Sequence, residues 1–279
     1  MKLKVKKPLV SVDWLFENRP AENLIILDAS IVKVGAQKEE IKEKLQIKNA
    51  VFFDLKNIFL NKKGEFPNII PTEKSFEKNA QKLGINKDSC VVIYDDLGVY
   101  SSPRAWWLFK LFGFENVAVL NGGLPAWINS EFPTEIPELK NKQLGNFKAN
   151  YKSEKLSVAE DVLKAVNNFN LIFDARSKGR FYATIPEPRK DLRGGHIPNS
   201  KSLPYTDLQV NGKMKSVKEL QKIFLALNPK KEVVIFSCGS GITACILALG
   251  NEIVENTNYS VYDGSWTEWA SKLALPVEK

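Results

Sequence analysis

Cysteine and histidine are scarce in this sequence, which has three cysteines, Cys90, Cys238 and Cys245, and one histidine, His196, among 279 residues. So few cysteines, and an odd number of them, exclude a disulfide framework and are typical of a reducing compartment. Paired cysteine and histidine ligands at zinc-cluster spacing are also missing. We therefore expect at least one free thiol and no metal.

Long apolar runs and dense clusters of like charge are also lacking. The first 20 residues interrupt every apolar pair with charge or proline, so they predict neither a signal peptide nor a membrane span. The net charge of +8 comes from lysines spread along the chain, which favours a solvated surface that attracts anionic substrates over a nucleic-acid interface. These features predict a cytosolic protein without nucleic-acid or membrane partners.

The chain is long enough for two domains, since one domain usually has about 100–200 residues. Residues 132–157 are polar, lysine-rich and broken by two prolines, as linkers are. We place an N-terminal domain at 1–138, the linker at 139–155 and a C-terminal domain at 156–279.

The two halves repeat the same elements. CVVIYDD (90–96) is followed by VAVLNGGLPAW (117–127), and VVIFSC (233–238) is followed by YSVYDGSWTEW (259–269). Asp96 precedes Asn121 by 25 residues, as Cys238 precedes Asp263. This spacing indicates a duplication in which Asp96 takes the place of Cys238.

Short apolar strands alternate with amphipathic helices in both halves. In the first half Thr72 is placed to cap a helix and Gly84 to end it. The second half repeats this helix with its apolar face at Val217, Leu220, Phe224 and Leu227. Continuous apolar strands of four or five residues are typical of parallel sheets covered on both faces. The predicted fold class is therefore α/β, with two domains that each have a parallel sheet and helices on both faces.

Cys238 ends an apolar strand and precedes Gly239, Ser240 and Gly241, with a helix beginning near Thr243. Ligands of a parallel sheet bind at the carboxyl ends of its strands. The glycines allow a tight turn whose amides would point at the sulfur, and together with the positive end of the helix they would lower the thiol pKa. Since a thiolate is the reactive form, the pattern favours Cys238 as a nucleophile.

Three alternatives compete with that interpretation. Gly239 to Ala244 also fits a dinucleotide-binding pattern, but only 40 residues follow Gly239, too few for a nucleotide domain. A cysteine phosphatase would need an arginine where Ala244 stands. A buried, inert thiol is the third alternative, and it is the one we favour for Cys90 and Cys245, which lie inside apolar runs.

CGSGITA (238–244) resembles the active-site loop of the 3-mercaptopyruvate sulfurtransferases, which belong with the tandem-domain rhodaneses. The resemblance continues through LDAS (27–30), FFDL (52–55), YSSPRAWWLFKLFG (100–113), NGGLPAW (121–127), FDARSKGRF (173–181), PEPR (186–189), GHIPNS (195–200) and YDGSWTEW (262–269). It implies two rhodanese-like domains, of which the first is catalytically inactive. Gly239 and Ser240 stand where thiosulfate-preferring members carry basic residues, which points to mercaptopyruvate as the donor.

The resemblance implies a two-step sulfur transfer without an external cofactor. Cys238 would become a persulfide and release pyruvate, and then pass the sulfur to cyanide or to a thiol, including that of a thioredoxin-like protein. The loop residues Gly239, Gly241, Ile242 and Thr243 would stabilise the thiolate and the persulfide. A thiosulfate-preferring rhodanese and a persulfide carrier with little turnover are the alternatives.

Four further positions match residues with roles in the family. Arg180 and Arg189 match arginines that hold the substrate carboxylate and keto oxygen, a task that suits the planar guanidinium fork. Asp54 and Ser240 match members of a proton relay that includes a histidine, where this chain has Asn68. An amide orients a hydroxyl but carries no proton, so we expect Ser240 to act as a hydrogen-bond donor. Asp54 is equally typical of a turn.

Overall fold

The computed structural model describes residues 2–32, 45–138 and 142–279, which divide into two compact units. The first unit comprises Met1–Leu60, Pro71–Tyr151 and Asn211–Lys213, and the second comprises Asn61–Ile70, Lys152–Val210 and Met214–Lys279, apart from the residues outside the described ranges. Each unit thus includes a short segment from the opposite half of the sequence. Residues 139–141 of the predicted linker lie outside the described residues.

A five-stranded parallel sheet organises the first unit. Its elements in chain order are β1 (Leu9–Val10), α1 (Val12–Asn18), β2 (Leu24–Asp28), β3 (Gln46–Ile47), β4 (Val51–Phe52), α2 (Glu73–Lys82), β5 (Cys90–Tyr94), α3 (Ser102–Leu111), β6 (Val117–Leu120), α4 (Gly123–Asn129) and β7 (Thr134–Glu135). The sheet order is β1-β6-β5-β2-β4, while β3 and β7 form a separate antiparallel pair. Strand β5 lies at the centre of this sheet, and its five residues are apolar and buried.

The second unit has the same architecture. Its elements are β8 (Leu156–Ser157), α5 (Ala159–Asn167), β9 (Leu171–Asp174), α6 (Lys178–Phe181), β10 (Lys201–Ser202), β11 (Gln209–Val210), β12 (Lys213–Met214), α7 (Val217–Leu227), β13 (Val234–Ser237), α8 (Ala244–Ile253), β14 (Tyr259–Tyr262) and α9 (Ser265–Ser271), with 3₁₀ turns at Ser153–Lys155 and Tyr205–Leu208. Lys213 of β12 is assigned to the first unit. The parallel sheet has the order β10-β9-β13-β14-β8, equivalent to that of the first unit. The predicted duplication and α/β fold class are confirmed.

Helices cover both faces of the sheets. Val92 and Tyr94 of β5 pack in one cluster with Leu15 of α1 and Trp127 of α4. Alternate residues of β5 point to the opposite face, where α3 contacts the strand. In the second unit α5 and α9 share a cluster with β9, β13 and β14, and α8 contacts β13 and β14.

The predicted helix signals function as expected, with one exception. The Thr72 side chain accepts a hydrogen bond from Ser75 N at 3.3 Å at the start of α2, and Gly84 takes a left-handed φ of +79° after its end. In α7, Leu220 and Phe224 are buried. Val217 is 42% exposed, so its predicted place on the apolar face is wrong: it is the first residue of α7 and its side chain reaches the surface. None of the helices in the described ranges has the length and apolar composition needed to span a bilayer.

Candidate active site

Cys238 follows β13, which pairs with β9 on one side and with β14 on the other. It therefore lies at the carboxyl end of a central strand of the second unit, where the sequence predicted it. A five-residue loop leads from Cys238 to α8, with Gly241 at a φ of +78° and Thr243 as the N-cap residue. The thiol is 1% exposed.

The polar partner of Cys238 is Ser265, at the start of α9. Ser265 Oγ accepts a hydrogen bond from Cys238 N at 3.2 Å and lies 3.8 Å from Sγ. The Ser265 hydroxyl donates to Tyr262 O at the shorter distance of 2.7 Å. The amide cradle that the sequence predicted around the sulfur, from Gly239, Gly241, Ile242 and Thr243, stays a prediction.

The equivalent loop of the first unit shows what this architecture binds. Trp266 N donates to Cys238 O at 2.9 Å, and the corresponding bond runs from Leu124 N to Asp95 O at 3.0 Å. Asp95, not Asp96, is therefore the structural counterpart of Cys238. The prediction of Asp96 is wrong because the loop that leads to α3 is one residue longer than the loop that leads to α8.

The Asp95 carboxylate is surrounded by donors. It accepts hydrogen bonds from the amides of Leu97, Tyr100, Ser101 and Ser102 at 2.8–3.0 Å, and from the Ser102 hydroxyl at 2.6 Å. The carboxylate oxygens lie two bonds beyond Cβ, whereas a cysteine sulfur lies only one bond beyond it. In this fold the loop amides converge on an anion that extends further from the backbone than a thiol.

Arg180, on α6, lies directly over the cysteine loop. A Cβ atom built on Gly239 would be 2.9 Å from Arg180 Nη2 and 3.4 Å from Nη1. Glu187 holds the guanidinium by accepting from Nε at 3.2 Å and from Nη2 at 2.6 Å. The sequence thus predicted the arginine and its neighbourhood, but not the carboxylate that orients it.

Glu187 is itself anchored by a second, buried arginine. Arg176 Nη1 donates to Glu187 Oε1 at 2.9 Å, and its Nη2 donates to Asp174 Oδ2 at 2.6 Å. Burial opposes the charge of Arg176, but Asp174 and then Glu187 raise its pKa above the ordinary arginine value. Arg180 is therefore positioned by a network that carries its own compensated charges.

Arg189 reaches the same loop through a hydroxyl. Its Nη1 donates to Thr267 Oγ1 at 2.9 Å, and the Thr267 hydroxyl and amide donate to Gly239 O at 2.6 and 3.0 Å. The structure therefore brings Arg180 and Arg189 together beside the residue that follows Cys238. Thr267 was not predicted, although it lies in the YDGSWTEW motif, whose match was its only sequence signal.

Ser240 contacts the segment 61–70, which belongs to the second unit. Asn68 Nδ2 donates to Ser240 O at 2.8 Å and to Ser240 Oγ at 3.1 Å, and both residues are buried. Two residues later, Ile70 N donates to Asp263 Oδ2 at 2.7 Å. The expected amide–hydroxyl contact between Asn68 and Ser240 is thus present.

Asp54 belongs to the first unit and follows β4. Its Oδ1 accepts from the amides of Lys56 and Asn57, both at 2.9 Å, and its Oδ2 accepts from Asn57 Nδ2 at 3.0 Å. This is the arrangement of a carboxylate that closes a turn. The catalytic role of Asp54 stays a prediction.

The other two cysteines and the histidine are buried and make contacts that fit a structural role. Cys90 and Cys245 are fully buried thiols that form no disulfide within the described ranges, and burial raises the pKa of Cys90 to about 11. The His196 ring stacks on Phe181 at 3.8 Å, and Nδ1 lies 3.0 Å from Phe181 O. Glu278 Oε2 lies 3.6 Å from Nε2, an acid neighbour that the sequence did not indicate.

The chain matches the rhodanese-like domain family over residues 11–130 and again over 158–272. It is 38% identical to thiosulfate/3-mercaptopyruvate sulfurtransferase 1 of Arabidopsis thaliana, over 98% of this chain and 78% of that protein. It is 35% identical to 3-mercaptopyruvate sulfurtransferase of Escherichia coli, over 96% and 97%. The crystal structure of SseA from E. coli superposes with a TM-score of 0.82 at 32% identity, covering 94% of this chain and 99% of that one.

Proposed function

The chain belongs to the rhodanese family, and on that premise we propose that it is a sulfurtransferase that takes sulfur from 3-mercaptopyruvate through a persulfide on Cys238. The observation that carries the proposal is that Arg180 and, through Thr267, Arg189 reach Gly239, which follows the only cysteine at the carboxyl end of a strand in the described ranges. Two guanidinium groups near the residue that follows the nucleophile suit a donor that carries both a carboxylate and a keto oxygen.

The first half-reaction balances within the donor. The Cys238 thiolate attacks the donor sulfur, an S–S bond forms and the C–S bond breaks. The electron pair of the C–S bond stays on carbon as the enolate of pyruvate, which gains the proton that the donor thiol loses. Cys238 is left as a persulfide, and pyruvate leaves.

The equivalent loop of the first unit supports a persulfide as the species that the loop after Cys238 stabilises. The outer sulfur of a persulfide lies two bonds beyond Cβ, as the Asp95 carboxylate oxygens do in the equivalent loop, where four amides bind them. We infer that the amides of Gly239, Gly241, Ile242 and Thr243 stabilise the outer sulfur of the persulfide.

The second half-reaction passes the outer sulfur to a thiol or cyanide, and we propose a thioredoxin-like protein or a small thiol as the acceptor. The three cysteines are thiols rather than disulfides, which fits a reducing compartment, and we propose the cytoplasm. A domain at 1–138 would be catalytically inactive, because Asp95 occupies the position of the nucleophile and a carboxylate accepts no sulfur. The catalytic domain would be 156–279.

Mass spectrometry of the intact protein after addition of 3-mercaptopyruvate tests the proposal. We expect the mass of one added sulfur atom, located on the peptide that contains Cys238, and pyruvate in equal amount. Cys238→Ser should abolish both, while Cys90→Ala, which removes a buried thiol, should retain them. Sulfur uptake or normal turnover by Cys238→Ser would overturn the proposal.

Thiosulfate is the second candidate donor, because the similar Arabidopsis protein is named for both compounds. Comparing kcat/KM for the two donors side by side distinguishes them. A higher value for thiosulfate would indicate a thiosulfate-preferring rhodanese. Persulfide formation without turnover of small thiols or cyanide would indicate a persulfide carrier.

A further inference from the structure

The segment Asn61–Ile70 is far from Cys238 in sequence but belongs to the unit that contains it. Two of its residues bind the two loops on either side of the cysteine. Asn68 binds Ser240 in the loop that follows β13, and Ile70 binds Asp263 in the turn that follows β14.

The Asn68 contact determines what the Ser240 hydroxyl can do. Nδ2 uses its hydrogens on Ser240 O and Oγ, so the hydroxyl oxygen accepts from Asn68. An amide NH₂ group has no lone pair that could take the Ser240 proton. The hydroxyl proton is therefore left to donate to another group. Asn68 holds this geometry from a left-handed backbone position, with a φ of +64°.

The Ile70 contact restrains the turn after β14, which carries the residue bonded to Cys238 N. Asp263 lies two residues before Ser265, whose hydroxyl accepts from Cys238 N. A hydrogen bond of 2.7 Å from Ile70 N to Asp263 Oδ2 therefore restrains the turn that carries Ser265. A bond between an amide and a carboxylate is charge-assisted and stronger than a neutral one.

We propose that Asn68 and Asp263 are positioning residues for sulfur transfer. Asn68 fixes the Ser240 hydroxyl as its acceptor, which leaves the hydroxyl to donate a hydrogen bond, without losing its proton, to the keto oxygen of the donor as the enolate forms. Asp263, bound to Ile70, keeps Ser265 on the other side of the thiol. The proposal deepens the proposed function and rests on it.

The rate of persulfide formation on Cys238, measured by rapid quench and intact mass, tests the Asn68 contact. Asn68→Asp has nearly the same shape but accepts instead of donating, so it should capture the Ser240 proton and slow persulfide formation by about 10- to 100-fold. Asn68→Gly accepts the left-handed φ without strain, so it removes the side chain alone and should slow the step by a smaller factor.

The Ser240→Ala background separates positioning from a structural role. If Asn68 acts through the Ser240 hydroxyl, Asn68→Asp should slow Ser240→Ala by a clearly smaller factor than it slows the wild type, since only the bond to the Ser240 carbonyl is left to lose. Equal slowing by Asn68→Asp with and without the hydroxyl would overturn the proposal, as would a wild-type rate in both Asn68 variants.

The Asp263 contact is tested with a conservative rescue. Asp263→Asn keeps an oxygen that accepts from Ile70 N, so it should recover much of the rate lost in Asp263→Ala, with the effect on kcat rather than on KM. Identical rates for the wild type and Asp263→Ala would remove Asp263 from the proposal. Failure of the wild type to form a persulfide would instead overturn the proposed function.

Discussion

Gly239 shows at the scale of one residue how the site depends on close approach. Its lack of a side chain leaves room for the Arg180 guanidinium over the loop, and its carbonyl accepts from Thr267, which in turn binds Arg189. One glycine thus lies against Arg180 and is linked to Arg189 through Thr267. A glycine here serves the approach of a side chain, since no left-handed φ requires it.

We expect Gly239→Ala to displace Arg180, because the added methyl group would lie 2.9 Å from Nη2. A displacement of this kind should raise KM for 3-mercaptopyruvate by roughly 10-fold or more, with a smaller effect on kcat. Steady-state kinetics measures it, and Arg180→Ala is the matched background. If the methyl group acts through Arg180, Gly239→Ala should have little further effect on KM in the Arg180→Ala background. An undiminished effect would contradict this explanation.

Two adjacent acids in the first unit have opposite surroundings. Asp95 accepts from four amides, whereas burial and then the carboxylates of Asp95 and Asp28 raise the pKa of Asp96. A carboxyl with a raised pKa in the folded state contributes stability below its unfolded pKa of about 4, and that stability is lost as the pH rises through the raised value.

We therefore expect Asp96→Asn to increase the free energy of unfolding at about pH 7, where the ionised acid is unfavourable, and to lose this gain toward pH 4. Urea denaturation at both pH values measures the difference. Asp95→Asn is the matched control and should lower stability at neutral pH, because it replaces one accepting oxygen with a donor. A stability loss in Asp96→Asn at neutral pH would refute this reasoning.

At the scale of elements, the helices begin where side chains satisfy their first amides. The Thr72 hydroxyl accepts from Ser75 N at the start of α2, and Ser216 and Glu219 form a reciprocal capping box at the start of α7. Such caps depend on residues three positions apart, so the sequence signals them directly. Strand β13 and helix α8 are likewise signalled by residues close together in the chain. They place Cys238 between the end of a strand and the start of a helix.

Thr72→Ala should lower the free energy of unfolding by about 1 kcal/mol, because an amide in the first turn of α2 loses its acceptor. Thr72→Ser keeps the hydroxyl and should stay within a few tenths of a kcal/mol of the wild type. Urea denaturation of the three proteins gives the values. A loss in Thr72→Ser as large as in Thr72→Ala would show that the methyl group matters, not the cap.

At the scale of the whole molecule, the chain is a duplicated parallel-sheet fold in which each unit takes in a segment from the other half of the sequence. The segment 61–70 supplies Asn68 and Ile70 to the unit that contains Cys238. The two copies differ at the end of the central strand, where a carboxylate fills its own amide cradle in one copy and a thiol stands at the same place in the other.

The sequence by itself determined the duplication, the α/β class, the helix caps and the place of Cys238 at a strand end, because each depends on periodicity or on residues close together in the chain. Its motifs also predicted Arg180 and Arg189 as substrate-binding residues. Only the tertiary structure decided that Asp95 is the counterpart of Cys238, that Glu187 and Thr267 hold the arginines, and that Asn68 donates to Ser240. These contacts join residues whose proximity depends on loop lengths and on the packing of whole elements, which local sequence does not encode.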